Sequence, residues 1–222
     1  PGLPNGMILK IVAGTPGEMW VATTAGIARI SYALKNSFST RSYGKKEGLK
    51  GLIISTLYLD AHGNLWFSDQ FGNVGLIQNG KVEKVFDLEN GLPGAPVRCI
   101  AVSSSGQLWV GTKGAGIFEA NTSLDPVRFQ PIQTPKKLAS DNIYLLLLDG
   151  QGNLWAGSES GVDQIVFEKN SGKVIENQHF GRSEGFLGIE TCQDAAIRDR
   201  AGNLWFGTMN GLTKYTPSNR KF

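Results

Sequence analysis

A chain of 222 residues, 41% hydrophobic and 18% charged with a net charge of +3, is long enough to bury a substantial core. Its lysines and arginines are scattered, without the basic stripe and aromatic platforms of a nucleic-acid groove, so nucleic acid is excluded as a partner. No stretch reaches the apolar length of a membrane-spanning helix, and no charged segment followed by an apolar one opens the chain.

Pro1-Gly2-Leu3-Pro4 resembles the later connection Gly91-Leu92-Pro93-Gly94, so the chain is expected to begin inside a repeating pattern. A short apolar strand, Lys10 to Ala13, then leads through a turn at Gly17 to a second strand carrying Trp20. A third strand at Ile27 to Ile30 and a more polar fourth at Phe38 to Tyr43 complete the repeat. The same order returns as Thr56 to Leu59, Trp66, Val74 to Ile77 and Lys81 to Phe86, and again as Cys99 to Val102, Trp109, Ile117 to Ala120 and Val127 to Gln130. Leu145 to Leu148, Trp155, Val162 to Phe167 and Val174 to Phe180 form the fourth copy. The fifth runs from Ala195 to Arg198 through Trp205 to Leu212 to Tyr215, with only Arg220-Lys221-Phe222 beyond Ser218-Asn219. The strand that would complete it is expected upstream of residue 1 or outside the chain, as in a fragment of a larger protein.

The tryptophans lie 46, 43, 46 and 50 residues apart, a period expected of propeller blades. A glycine precedes each by three residues, and Asp60, Asp149 and Asp199 open the corresponding turns. Aspartate bonds its own backbone two residues on, and glycine accepts the positive φ of a tight hairpin. The small residue two places after each tryptophan (Ala22, Ser68, Gly111, Gly157, Gly207) predicts a close approach by a neighbouring backbone or ring. Four-stranded antiparallel sheets that are apolar on both faces must stack on each other, so the chain is expected to be an all-β β-propeller with five blades visible. Their approximate limits are 5–43, 50–86, 95–130, 141–180 and 190–222 within a single propeller domain or propeller fragment.

The unit Asp-x-x-Gly-Asn-Leu-Trp-Phe-Gly-Thr-x-x-Gly-Leu, most complete at Asp199 to Leu212, resembles the two-component regulator propeller repeat of extracytoplasmic sensor regions in bacterial histidine kinases and hybrid two-component systems. The pairs Gly48-Leu49 and Gly91-Leu92 fit that pattern, as does Ser183 to Glu190 leading to Gly211 to Pro217. The second repeat departs with Ser68-Asp69 in place of Gly-Thr, the first has no turn aspartate, and the third has Ser103 at that position. The resemblance implies a periplasmic or extracytoplasmic sensor in an inner-membrane receptor, binding a small molecule or oligosaccharide and signalling to a histidine kinase. It also implies an immunoglobulin-like domain, a membrane span and a kinase further along the polypeptide, and a homodimer when intact.

Two alternatives are a non-catalytic protein-interaction scaffold and a propeller lyase acting on streptogramin-type compounds. The lyase chemistry uses His and Glu with magnesium near the axis, whereas this chain has only His62, in a hairpin turn, and His179, on an outer strand. Gly157-Ser158-Glu159-Ser160-Gly161 carries Glu where a nucleophile elbow carries its nucleophile and lies between two strands, so no catalytic residue is expected. One carboxylate per turn falls short of the six to eight oxygens calcium takes, so neither metal nor cofactor is expected. The tryptophans are assigned to packing between blades, and Cys99 and Cys192, on strands of non-adjacent repeats, to small apolar positions. Ligand contacts are expected where two sets of loops meet: Gln70, Lys113, Glu159 and Asn210 between second and third strands, and Arg98, Tyr144 and Glu190 between repeats.

Overall fold

The computed structural model describes residues 2–4, 6–33, 37–169 and 171–217. The predicted limits at Asn5 and at 218–222, including Arg220, Lys221 and Phe222, lie outside the described residues. The chain is all-β and built of five β-propeller blades. The first contains β1 (Ile8–Ala13), β2 (Glu18–Thr23), β3 (Gly26–Ala33) and β4 (Ser37–Tyr43). The second contains β5 (Ile54–Leu59), β6 (Leu65–Asp69), β7 (Val74–Gln78) and β8 (Lys81–Phe86). β9 (Val97–Val102), β10 (Gln107–Thr112), β11 (Ile117–Asn121) and β12 (Gln130–Pro131) follow, then β13 (Leu145–Leu148), β14 (Leu154–Ser158), β15 (Gly161–Phe167) and β16 (Val174–Phe180). The fifth blade has β17 (Thr191–Arg198), β18 (Leu204–Thr208) and β19 (Gly211–Tyr215), three strands among the described residues.

Strand order is sequential in every sheet, so each blade is a meander of hairpins. The hairpins are set by chemistry repeated in the sequence. Gly17, Gly63, Gly106, Gly152 and Gly202 all have φ between 79° and 90°, where a side chain is disfavoured. At the other end of each second strand, Thr23, Asp69, Thr112, Ser158 and Thr208 are buried polar residues with their bonds made within the following turn. The Ser68-Asp69 departure from Gly-Thr has a structural task of the same kind. Asp69 Oδ1 accepts from Phe71 N and Asn73 N at 2.9 and 3.1 Å and Oδ2 from Asn73 Nδ2 at 2.8 Å. Asp60 makes the same bonds to His62 and Asn64, so one Asp-x-x-Gly-Asn turn stands at each end of β6.

Two compact units are present, one of residues 1–108 with 120–130 and the other of 109–119 with 131–222. In the first, Trp20, Ala22, Ile27 and Tyr43 of one blade pack on Ile54, Leu57, Leu65, Phe67 and Ile77 of the next. In the second, Trp155 and Val162 of the fourth blade meet Leu204 and Phe206 of the fifth. The rule is the same in both: the tryptophan face of one sheet covers the Leu-x-Phe face of its successor. An aromatic ring buried here removes about 150–250 Å² from water, roughly 4–6 kcal/mol of transfer free energy before ordering entropy is subtracted. A Cβ at Gly157 would stand 2.7 Å from both Leu145 Cγ and Thr191 Oγ1, and one at Gly207 would stand 2.9 Å from Ala195 Cβ, the close approach expected of the small residue after tryptophan.

Two strand readings need correction. The fourth strand of the third blade is only Gln130–Pro131, whereas Val127 to Gln130 was expected. Pro126 and Pro131 lack the N–H a ladder needs, and Val127 and Phe129 are instead buried, with Phe129 N bonded to Asn90 O at 2.7 Å. Sheets apolar on both faces were also expected to be covered by stacking, which would leave their first strands largely buried. That holds for β5, β9 and β13, but Ile8 and Ile11 on β1 and Ile197 on β17 are 49%, 53% and 63% exposed.

Candidate functional site

The turn aspartates have a structural task. Asp60, Asp149 and Asp199 each accept from two backbone N–H groups through Oδ1 and from an asparagine amide and the tryptophan Nε1 through Oδ2. The hairpin and the indole are thus fastened by one carboxylate. At Asp199 these bonds, led by the one from Trp205 and then that from Asn203, lower the carboxyl pKa to about 2. Ser103 occupies the aspartate position in the third repeat, and Ser103 Oγ accepts from Gln107 N. The buried Nε1 of Trp109 has no partner among the described residues.

Five of the seven predicted ligand residues lie in the second compact unit. Lys113 forms a bridge with Asn142, and Ser140 Oγ donates to Glu159 Oε1 at 2.6 Å. Tyr144 N donates to Gly157 O at 2.8 Å, and Tyr144 O accepts from Asp194 N at 3.0 Å, so Tyr144 is placed by the fourth and fifth blades together. Glu190 O accepts from Met209 N at 3.0 Å, next to Asn210 in the chain. Gln70 and Arg98 belong to the first unit: Gln70 Oε1 accepts from Ile53 N at 2.9 Å, and Arg98 lies on β9.

The second unit also carries a buried carboxylate that sequence reading passed over. Asp163 Oδ2 accepts from Ala139 N at 3.1 Å and Oδ1 faces His179 Nδ1 at 3.2 Å. Burial pushes the Asp163 carboxyl above its ordinary value, opposed by the bond from Ala139 and by His179.

The first compact unit holds a cleft of about 500 Å³, within the range of small-molecule sites. Trp66, Leu76, Phe86, Val102 and Val127 give it an apolar floor. His62, Gln78, Glu83, Lys84, Ser104 and Thr122 supply imidazole, amide, charged and hydroxyl groups above it. Several are already oriented: His62 Nε2 lies 3.2 Å from Ser104 O, Gln78 Nε2 donates to Asn64 Oδ1 at 3.0 Å, and Thr122 Oγ1 donates to Gly106 O at 2.8 Å. A bulge in β8, where Leu76 pairs with Lys84 but Ile77 with Val82, brings the successive residues Glu83 and Lys84 to the same cleft. None of these was singled out as a ligand residue from sequence. The available signals were the run Ser103-Ser104-Ser105 in place of an aspartate turn and the prolines that weaken the third blade's last strand.

Repeated sheets packed tryptophan face to Leu-x-Phe face define a protein of the β-propeller class. Two of its stretches, residues 91–114 and 137–160, match the two-component regulator propeller. No curated protein matches the sequence. The extracellular domain of a putative hybrid two-component system from B. thetaiotaomicron is similar in structure, with a TM-score of 0.76 and 22% identity over 95% of this chain. A second such domain from that organism has a TM-score of 0.71 and 17% identity over 97% of the chain. This chain spans 28% and 30% of the length of those two chains. Virginiamycin B lyase from Staphylococcus aureus, solved with quinupristin, has a TM-score of 0.66 and 16% identity over 99% of this chain and 74% of its own. At these identities each likeness is one of fold.

Proposed function

We propose that this propeller is the ligand-sensing, extracytoplasmic part of a two-component receptor, and that it binds a small molecule or oligosaccharide without turning it over. The cleft above Trp66 carries the reading: a preformed hollow of about 500 Å³ with hydroxyl, amide and charged groups over an apolar floor, in a chain two of whose stretches match the two-component regulator propeller. The similar extracellular domains of putative two-component systems support an extracytoplasmic location, which in an inner-membrane receptor is the periplasm. In that setting the event passes through an immunoglobulin-like domain and a membrane span to a histidine kinase in the same polypeptide, within a homodimer. Ligand shifts such a receptor only by binding one arrangement better than the other.

A thermal-shift screen with soluble mono- and oligosaccharides tests the reading. A ligand at 100 times its Kd adds about 2.7 kcal/mol, which raises the midpoint by about 5–10 °C for a chain of this size. Gln78→Ala with Lys84→Ala is expected to abolish that shift while leaving the unliganded midpoint within about 2 °C, because both side chains lie on the surface. The proposal fails if no compound raises the midpoint or if the double variant responds as the parent does.

A further inference from the structure

The third strand of a blade decides what lies against its tryptophan. Trp20 pairs with Arg29, Trp155 with Gln164 and Trp205 with Lys214, all long polar side chains. In the first and fifth blades that side chain covers the indole: Arg29 Cζ lies 5.5 Å from the Trp20 ring centroid, and Lys214 Nζ lies 5.2 Å from that of Trp205. The ring quadrupole holds a cation there. In the second blade the partner of Trp66 is Leu76, which has no charge to hold over the ring, and here the cleft of about 500 Å³ opens.

Charge in this blade stands one strand further out. Leu76 pairs with Lys84 on β8, and the bulge makes Glu83 the extra residue, so two successive side chains that would otherwise point to opposite faces line one cleft. Both are exposed, and neither side chain has an ion pair or hydrogen bond among the described residues. The first blade is different: Arg29 donates to Glu18 Oε1, and Glu18 Oε2 accepts from Thr15 Oγ1 at 2.8 Å, so its opposite charges are spent on each other. The floor beneath Glu83 and Lys84 offers contact area alone. Trp66 gives its one donor, Nε1, to Asp60 Oδ2 at 3.0 Å, and the side chains of Leu76, Phe86, Val102 and Val127 have no hydrogen-bonding group.

We infer that this cleft takes a free α-amino acid with a large apolar side chain, its carboxylate on Lys84, its ammonium on Glu83 and its side chain against Trp66 and Leu76. The inference rests on the ligand-binding reading above and, of the two ligand classes named there, selects the small molecule. Two opposite charges one carbon apart answer two opposite charges on successive residues. An anion lacking the amine faces Glu83 unpaired, and a cation lacking the carboxylate faces Lys84. A neutral sugar uses neither charge and sets its hydroxyls on a floor that cannot bond them.

Isothermal titration of the 222-residue chain tests this with four probes: L-phenylalanine, its amide, N-acetyl-L-phenylalanine and maltose. Phenylalanine is expected to bind, and the amide and the acetylated compound, each missing one charge, at least about tenfold more weakly. Glu83→Gln is expected to weaken phenylalanine by about tenfold and leave the acetylated compound nearly unchanged, and Lys84→Gln to do the same with respect to the amide. Both variants should keep the unfolding midpoint within about 2 °C, since the side chains are exposed. Leu76→Arg, which supplies the covering side chain of the first blade, is expected to abolish binding. If maltose binds and phenylalanine does not, the inference falls and the sensor reading stands; if no probe and no saccharide binds, both fall. The inference is also overturned if the amide and the acetylated compound bind as tightly as phenylalanine, or if Leu76→Arg binds it as the parent does.

Discussion

The carboxylate of Asp149 provides the most direct measurement of what fastens a blade. Asp149 is 7% exposed, and its two oxygens accept from Gln151 N at 2.8 Å, Asn153 N and Nδ2 at 2.9 Å each, and Trp155 Nε1 at 3.1 Å. Asp149→Ala removes all four acceptor contacts. Water replaces the contact with the exposed Gln151, but Asn153 is 7% exposed and Trp155 0%, so their donors stay dry and unpaired. Each buried donor left unsatisfied costs about 1–3 kcal/mol, while relief of the carboxylate's own desolvation returns part of the loss. The net expectation is about 3 kcal/mol, or a midpoint lowered by about 6–12 °C for a chain of this length.

Asp149→Asn separates hydrogen bonding from packing. It keeps the volume, but whichever way the amide turns, its NH2 group faces N–H donors, so it should be nearly as damaging as alanine. Trp155→Phe keeps an aromatic ring and removes the N–H, and a double-mutant cycle with Asp149→Ala isolates the shared bond at about 1–2 kcal/mol. Urea unfolding at pH 7 with a constant m-value is the assay. An asparagine variant as stable as the parent, or a coupling energy near zero, would refute the claim that this acceptor secures the indole.

Three further outcomes follow from other sites. Asp199, held at a pKa of about 2 against an ordinary 3.8, supplies stability that is complete above the unfolded value and disappears as pH falls toward 2. Midpoints measured from pH 5 to pH 2 should therefore fall less steeply for Asp199→Asn than for the parent, and parallel curves would remove this carboxylate from the acid response. Asp163 has the opposite sign: its raised pKa favours the protonated form in the folded state, a contribution lost as pH rises through the folded value, so Asp163→Asn should gain on the parent between pH 4 and pH 7. Gly75→Ala drives a Cβ to within 2.0 Å of Phe67 Cζ, and overpacking of this kind costs about 1–3 kcal/mol. Adding Phe67→Leu should then destabilise the Gly75→Ala protein less than it does the parent, and strictly additive losses would show that the ring is not the obstacle.

The blade was legible because its chemistry is local. The glycine before each tryptophan, the aspartate opening the turn and the small residue after it act across hairpins only a few residues long, and they recur where the chain must turn or pass close to itself. Seven residues expected near a ligand were chosen by loop position alone; of these, Lys113, Tyr144 and Glu159 are tied by hydrogen bonds to neighbouring segments of one unit. Position in a repeat could not reveal the bulge that brings Glu83 and Lys84 together, nor that prolines in the third blade divert Val127 and Phe129 from a strand into the core.

Ser68-Asp69 shows where the division falls. Read alone, it is a lapse from Gly-Thr; folded, it is a second aspartate turn with its own asparagine partner. The sequence by itself determined the repeat, the all-β class, the hairpin order and the family likeness, because those depend on interactions between residues near each other along the chain. Tertiary structure alone decided which faces are covered and where the cleft opens, because those properties belong to segments that meet only after the sheets have packed.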